Sequence, residues 1–156
     1  MKKIKITRNK WLDVLIFATI FVVIGQFLPK LIYSVFPGSY FYAVKSTEIQ
    51  YIDGVCPTTI LVVNRSIWYP TRGERFVELQ LVGNQGVQQI KLSNIDTLND
   101  IFVIEKTEGY QPLSVELPLP CDVKRGELYK WQILVQFPID GFNKSIEIMS
   151  DPFFVP

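Results

Sequence analysis

The sequence predicts an all-β antiparallel sandwich of seven to eight strands, preceded by one N-terminal transmembrane helix. Three observations predict this architecture. A basic head stands directly before an apolar run, most later segments alternate apolar and polar residues, and turn residues recur about every ten positions. The first observation also decides the compartment in which the rest of the chain folds, so it is considered first.

The apolar run extends from Val14 to Leu28, and five basic residues precede it within the first ten positions. Fifteen residues make a helix of about 22 Å, whereas the hydrocarbon core of a bilayer is about 30 Å thick. Extending the helix to residues 11–36 supplies the missing length, although Asp13 and Lys30 add charge. Pro29 is expected to kink this helix, because proline lacks the amide hydrogen.

Aromatic and basic residues flank the predicted span. Tryptophan and tyrosine favour the headgroup level of a bilayer, and a lysine near a helix end extends its charge toward water. The predicted membrane-interface residues are Trp11 at the inner boundary and Lys30, Tyr33, Tyr40 and Tyr42 at the outer one.

A cleaved signal peptide is the main alternative to an uncleaved anchor, because a basic head and a short apolar core are shared by both. Val23 to Gly25 offers a possible cleavage site. Apolar residues resume from Leu31 to Phe36, which favours the anchor. A buried core helix is disfavoured because Val14 to Phe27 has no polar face. The basic head then faces the cytoplasm of a bacterial inner membrane and the remainder is periplasmic, or the membrane is phage-associated.

The predicted organisation has four parts: a basic head at 1–10, the anchor at 11–36, a linker at 37–43 and a β-domain at 44–156. The chain carries a net charge of +1, but the part beyond the anchor is mildly acidic. Its basic residues are interspersed with acidic ones and form no stripe. Nucleic-acid binding is therefore not predicted, and the partners expected are membrane lipid and a protein.

Alternation of apolar and polar residues predicts the strands. In Tyr129 to Phe137 and in Phe76 to Val82, apolar residues recur at every second position and most residues between them are polar, which indicates strands buried on one face. Thr58 to Val63 is continuously apolar and β-branched, as expected of a central strand. The remaining predicted strands are 44–52, 87–92, 101–105, 113–119 and 144–155, the last with a break at Asp151-Pro152. Ser93 to Asp100 is predicted to hold a single helical turn.

Two cysteines, Cys56 and Cys121, lie beyond the anchor. An even number of cysteines in an oxidising compartment favours a disulfide. Closing such a loop contributes about 4 kcal/mol in the chain-entropy account. Two unpaired buried thiols are the alternative. Two distant thiols are too few ligands for a metal ion, so neither a metal site nor a cofactor is predicted.

Catalytic machinery is sparse in this sequence. The chain has no histidine, which excludes Ser-His-Asp and Cys-His nucleophilic sites. Two carboxylate pairs could in principle serve a glycosidase, Glu74 with Glu78 and Glu105 with Glu108, but solvated charge on strand faces and turns explains them as well. We expect a protein that is not an enzyme and has no evident small-molecule substrate.

The best candidate for partner contact is the segment after the second predicted strand. Trp68 and Tyr69 are followed by Arg72 and Arg75, and aromatic residues beside arginine are common in recognition patches. The alternative is that Trp68 covers the core. The sequence is silent on the identity of the partner.

The segment from Tyr129 to Val135, with one further strand and an Asp-Pro-Phe-Phe-Val ending, resembles the last two strands of immunoglobulin-like or fibronectin-type sandwiches. The resemblance implies that Tyr129 is the corner tyrosine of such folds. Cys121 precedes Tyr129, so the disulfide is not the immunoglobulin one. The layout of basic head, span and small sandwich also resembles small uncharacterised membrane proteins encoded by bacteriophages.

The function predicted is that of a non-enzymatic, single-pass membrane-anchored protein whose extracytoplasmic sandwich binds a protein partner. One alternative is a bacteriophage structural or envelope protein, acting in a virion membrane, in lysis or in superinfection exclusion. A secreted hydrolase, released by signal cleavage, is the other alternative.

Overall fold

The computed structural model describes residues 10–83, 86–90 and 100–156. The chain divides into two compact units, Met1–Phe36 and Pro37–Pro156. The predicted helical turn at 93–99 lies outside the described residues, and Asp100 begins a strand instead.

The first unit contains helix α1, Lys10–Val35. Its 26 residues are about 39 Å long at about 1.5 Å per residue, and none of them is buried. Of the helices described, α1 is long and apolar enough to cross a membrane. Pro29 lies inside α1 without dividing it. A helix of this kind is compatible with a membrane anchor or with a signal sequence.

The second unit is built almost entirely of antiparallel strands, which confirms the all-β prediction at that level. Nine strands and one short helix lie within its described residues. They are α2 (Gly38–Phe41), β1 (Tyr42–Ile52), β2 (Thr58–Ile67), β3 (Thr71–Gly83), β4 (Gly86–Ile90), β5 (Asp100–Ile104), β6 (Gln111–Pro118), β7 (Leu128–Ile139), β8 (Phe142–Met149) and β9 (Phe153–Phe154). The ninth strand arises because the predicted last strand divides into β8 and β9 around Asp151-Pro152.

The strands form two sheets. Sheet A has the order β1-β2-β6, and sheet B has the order β4-β3-β7-β8. Strand β5 pairs with the first half of β3, Thr71 to Arg75, and β4 pairs with its second half. Strand β9 lies on the same side of β7 as β8 and pairs with Leu128 and Tyr129 of β7.

The core lies between the two sheets and follows the predicted alternation. The inward positions of β7 are buried, among them Trp131, Ile133 and Val135, and so are Leu61 and Val63 of β2 in the other sheet. The Nε1 of Trp131 donates a hydrogen bond to the Oγ1 of Thr59 across the sheets at 2.8 Å. Burial of these aliphatic and aromatic side chains stabilises the domain at roughly 25 cal/mol per Å² of apolar area.

A disulfide and a hydrogen bond connect segments at the end of the domain that contains both cysteines. Cys56, just before β2, forms a disulfide with Cys121 in the connection between β6 and β7, as predicted. In the same connection, the backbone oxygen of Lys124 accepts a hydrogen bond from the Tyr129 hydroxyl at 3.2 Å. Burial raises the pKa of Tyr129 above its ordinary value.

The predicted linker at 37–43 is wrong, because these residues are packed into the β-domain. Gly38 and Phe41 are buried, and a Cβ on Gly38 would lie 2.9 Å from the carbonyl carbon of Ser145 in β8. Tyr42 already belongs to β1. The β-domain therefore begins at Pro37, directly after the first unit.

Tyr42 is also wrong as a membrane-interface residue. Its side chain is 3% exposed, its ring lies 6.2 Å from that of Phe137, and its hydroxyl accepts a hydrogen bond from Arg65 at 3.1 Å. A side chain enclosed by the domain core cannot reach a headgroup. The period-two alternation of a strand, which the sequence prediction began only at Val44, determines this inward orientation.

Candidate functional site

The four predicted contact residues do not form one patch. Trp68 and Tyr69 lie in the short connection between β2 and β3, whereas Arg72 and Arg75 belong to β3. Trp68 is 63% exposed, which contradicts the alternative that it covers the core. Tyr69 is half-buried.

The side chain of Arg75 points inward, so Arg75 is not among the exposed residues of the predicted contact site. Its neighbour Phe76 is on the outer face, so alternation along β3 directs Arg75 between the sheets. The guanidinium lies 3.0 Å from the Asp100 carboxylate and 5.9 Å from the centroid of the Phe102 ring. Arg75 is thus paired within the domain and is not available as a contact cation.

Arg72 is exposed on the outer face of sheet B, where it joins a set of apolar residues. The strand register places Val103 of β5 opposite Arg72 and Ile101 opposite Glu74, and Phe76 is the next outward residue along β3. Ile101 is 71% exposed and Val103 is 63% exposed. We call these five residues, Arg72, Glu74, Phe76, Ile101 and Val103, the β3/β5 surface.

The β3/β5 surface borders a groove on the same face of the sheet. The groove has a volume of 570 Å³. Its lining includes Arg72, Glu74, Ile101, Gln136, Asn143 and Ser145. In the centre of the outer face, Gln80, Gln132 and Glu147 form a hydrogen-bonded row across β3, β7 and β8. This polar row lies between the β3/β5 surface and the exposed Val87 of β4.

The sheet edges differ in how well they are protected against pairing with another chain. Strand β6 has Pro112 and Pro118, which cannot donate a hydrogen bond and so blunt an edge. Strand β1 has a register irregularity between Val44 and Ser46, and β8 presents Lys144 and Glu147. Strand β5 has the sequence Asp-Ile-Phe-Val-Ile and pairs, among the described strands, with β3 alone. Like β4, it has no proline, and its exposed positions 101 and 103 are aliphatic.

A second cavity, of 320 Å³, lies between the sheets beside Arg75. Its walls are mostly apolar and include Val63, Ile133 and Val135. The charge of Arg75 is already compensated by Asp100, so this cavity offers no uncompensated cation to a ligand. We therefore do not assign a site to it.

The carboxylates considered for hydrolysis are poorly arranged for it. Glu74 and Glu78 lie four positions apart on β3, which is about 13 Å along a strand. Glycosidase carboxyl groups lie about 5 to 9.5 Å apart. Glu105 and Glu108 are exposed in the connection after β5. Within the ranges that the structure describes, no cluster of three or more acidic or cysteine side chains could hold a metal ion.

Exposed aromatic side chains gather at the end of the β-domain where its chain begins. The Tyr40 and Trp68 ring centroids are 6.0 Å apart, and the Trp68 amide donates to the Phe41 carbonyl at 2.9 Å. Tyr110 lies just before β6, with the Lys45 ammonium 5.8 Å from its ring centroid. We call Tyr40, Trp68 and Tyr110 the aromatic end.

Three of the predicted membrane-interface residues, Trp11, Lys30 and Tyr33, belong to α1. Trp11 lies in its first turn and is largely exposed, whereas Lys30 and Tyr33 lie near its C-terminus. Tyr40 lies in α2 and therefore belongs to the β-domain.

The sequence prediction missed Ile101, Val103 and Tyr110 as surface residues. Strand β5 is apolar at four consecutive positions, so its pattern could not indicate which side faces outward. Only the register with β3 determines that Ile101 and Val103 are outside. No protein-family profile and no curated protein matches this chain.

Proposed function

We propose that this protein is a non-enzymatic, single-pass membrane-anchored module whose extracytoplasmic β-domain binds a protein partner through the β3/β5 surface. The observation that carries the proposal is the exposure of the two aliphatic residues Ile101 and Val103 on an edge strand of sheet B. Each part of the proposal has its own support.

Helix α1 supports the anchor. It exceeds the thickness of the hydrocarbon core by about 9 Å, and none of its residues is buried. The basic residues that precede it favour a cytoplasmic N-terminus and export of the β-domain. The Cys56–Cys121 disulfide fits an oxidising compartment such as the bacterial periplasm.

Strand order supports an immunoglobulin-like or fibronectin-type identity for the β-domain. Constant-type immunoglobulin sandwiches place strands A, B, E and D in one sheet and C, F and G in the other, and variable-type domains add C′ beside C. The order β1-β2-β6 matches A-B-E and β4-β3-β7-β8 matches C′-C-F-G, whereas β5 pairs with β3 and not with β6, beside which strand D would lie. Tyr129 at the start of β7 donates back to Lys124, as a corner tyrosine does.

Absence of histidine and the spacing of the carboxylates support a role without catalysis. The partner surface is supported by its mixed chemistry. Exposed aliphatic residues beside an arginine match the apolar centre and charged rim of protein interfaces. An unprotected edge strand can also pair its backbone with an extended segment of the partner.

The proposal is tested with photo-crosslinking in native membranes. A benzophenone side chain is placed at Val103 and, as a matched control, at Val87, which is also exposed on an edge strand of sheet B. We expect one discrete adduct from position 103 and none from position 87, and its loss when Ile101→Lys is added. Equal adducts at both positions, or no dependence on Ile101, would contradict the proposed surface.

A bacteriophage structural or envelope protein stays the alternative, because the same layout serves a virion membrane or a host envelope. Flanking capsid or lysis genes would favour it over a cellular interaction module.

A further inference from the structure

We propose that the aromatic end of the β-domain (Tyr40, Trp68 and Tyr110) binds the headgroup region of the membrane in which α1 is anchored. The inference rests on the anchor of the proposed function and adds a second, independent lipid contact. It also assigns Trp68 to lipid instead of to the protein partner.

The side chains at this end have the chemistry of a membrane interface. Trp68 and Tyr40 are 63% and 46% exposed, and Tyr110 is 51% exposed. Tryptophan and tyrosine combine an apolar ring with a polar tip, and both concentrate where hydrocarbon meets water. The indole and phenol rings of Trp68 and Tyr40 pack beside each other, so they present a continuous surface.

The backbone holds these residues in a fixed arrangement. Gly38 is packed against the carbonyl of Ser145 with no room for a Cβ, and the Trp68 amide is hydrogen-bonded to the Phe41 carbonyl. The short helix α2 is thereby fixed to β8 and to the connection before β3. The backbone at Tyr40 and Trp68 therefore loses little freedom when these residues bind a surface, which lowers the entropic cost of binding.

Chain length keeps the aromatic end close to the bilayer. Helix α1 ends at Val35, and Gly38 is already part of the packed β-domain. Three residues span at most about 11 Å when fully extended. Because so little chain separates α1 from α2, α2 stays near the membrane surface in any orientation of the β-domain. Because the β-domain is tethered to the membrane, the effective concentration of lipid at the aromatic end is high, which favours binding.

Charge does not drive this contact. Cations at the same end, such as Lys45 near the start of β1 and Lys144 near the start of β8, are interspersed with carboxylates such as Glu108 and Asp140. Anionic headgroups would therefore add little attraction, since the favourable and unfavourable terms oppose each other. Ring burial is the main source of affinity, and the contact should persist on zwitterionic lipid.

Tryptophan quenching by brominated lipid tests the inference in the full-length protein. The chain has three tryptophans: Trp11 in α1, Trp68, and Trp131, which is completely buried. The W11F variant and its matched control W11F/W68F are reconstituted in phosphatidylcholine vesicles. One set of vesicles carries bromine near the headgroup end of the acyl chain, and another carries it near the chain terminus.

We expect headgroup-proximal bromine to reduce the emission of W11F and to leave W11F/W68F unchanged, because only Trp131 remains in the control. Terminal bromine should reduce the emission of W11F less. Identical behaviour of the two variants would overturn the inference. The inference would also be overturned if acrylamide still quenched the emission of Trp68 in these vesicles. Trp68 would then be exposed to water and available to a protein partner.

Comparison of the wild-type chain with W11F separates this inference from the proposed function. If bromine quenches Trp11 but not Trp68, the anchor stands and only the aromatic-end contact fails. If neither is quenched, α1 is not inserted, and both the anchor and the contact fail.

Discussion

The Nε1 of Trp131 in β7 and the Oγ1 of Thr59 in β2 form a buried hydrogen bond of 2.8 Å between the two sheets. The Thr59 hydroxyl in turn donates to the Leu117 carbonyl of β6 at 3.0 Å. Neither Trp131 nor Thr59 is exposed. This pair fixes the relative position of the sheets, because a displacement would leave the buried Nε1 donor of Trp131 without its acceptor.

Thr59→Val should lower the free energy of unfolding by about 1–3 kcal/mol, because it leaves the buried Trp131 N–H without its acceptor. Urea denaturation measures the change. Thr58→Val is the matched control, since Thr58 lies on the opposite face of β2, and it should have little effect. A double-mutant cycle with Trp131→Phe should give a coupling energy of about 0.5–3 kcal/mol; additive effects would argue against the bond.

Loss of the Cys56–Cys121 disulfide should lower the free energy of unfolding by about 4 kcal/mol in the chain-entropy account, since the cysteines are 65 residues apart. Cys56→Ala, Cys121→Ala and the double variant should be equally destabilised. The double variant should no longer respond to reductant. Alkylation of both thiols in the oxidised, exported wild-type protein would contradict the disulfide.

Tyr129 should make the domain less stable in alkaline solution. Burial raises the pKa of its phenol, so the folded state holds the proton more tightly than the unfolded state. This contribution is complete below about pH 10, the ordinary pKa of tyrosine, and is lost as the pH rises through the folded-state pKa.

Tyr129→Phe tests the predicted direction of this pH dependence. At neutral pH it should cost about 0.5–1.5 kcal/mol, because the hydrogen bond to Lys124 is lost. Above pH 10 the stability of the variant should fall less steeply than that of the wild type. Tyr110→Phe is the control, because it removes the same hydroxyl from an exposed tyrosine. If the free energy of unfolding fell equally steeply with pH in Tyr129→Phe and in the wild type, Tyr129 would not be the source of the alkaline destabilisation.

Gly38→Ala should destabilise the β-domain by about 1–3 kcal/mol, because the added methyl group overlaps the backbone of Ser145 and α2 must shift. Thermal unfolding measures the loss. At Gly54 the nearest atom to an added Cβ is 3.6 Å away, so Gly54→Ala should be neutral or slightly stabilising. Similar melting temperatures for both variants would show that α2 does not depend on this close approach.

The sequence alone determined those features that depend on local pattern. The apolar run identifies α1 because the requirement for about 20 apolar residues is a matter of length and composition. The alternation in β7 and β3 identifies strands and their buried sides, since side chains on a strand point alternately to opposite faces. Cys56 and Cys121 can be paired because they are the two cysteines of the chain.

The tertiary structure decided which residues are available at the surface, because that depends on register and pairing between distant segments. Arg75 pairs with Asp100 inside the domain and Arg72 stays outside, although both belong to one basic pair in the sequence. Ile101 and Val103 face outward only because β5 pairs with β3 in one register. Packing of α2 against β8 turned a predicted linker into a fixed part of the domain, and it is this long-range contact that brings Tyr40 beside Trp68.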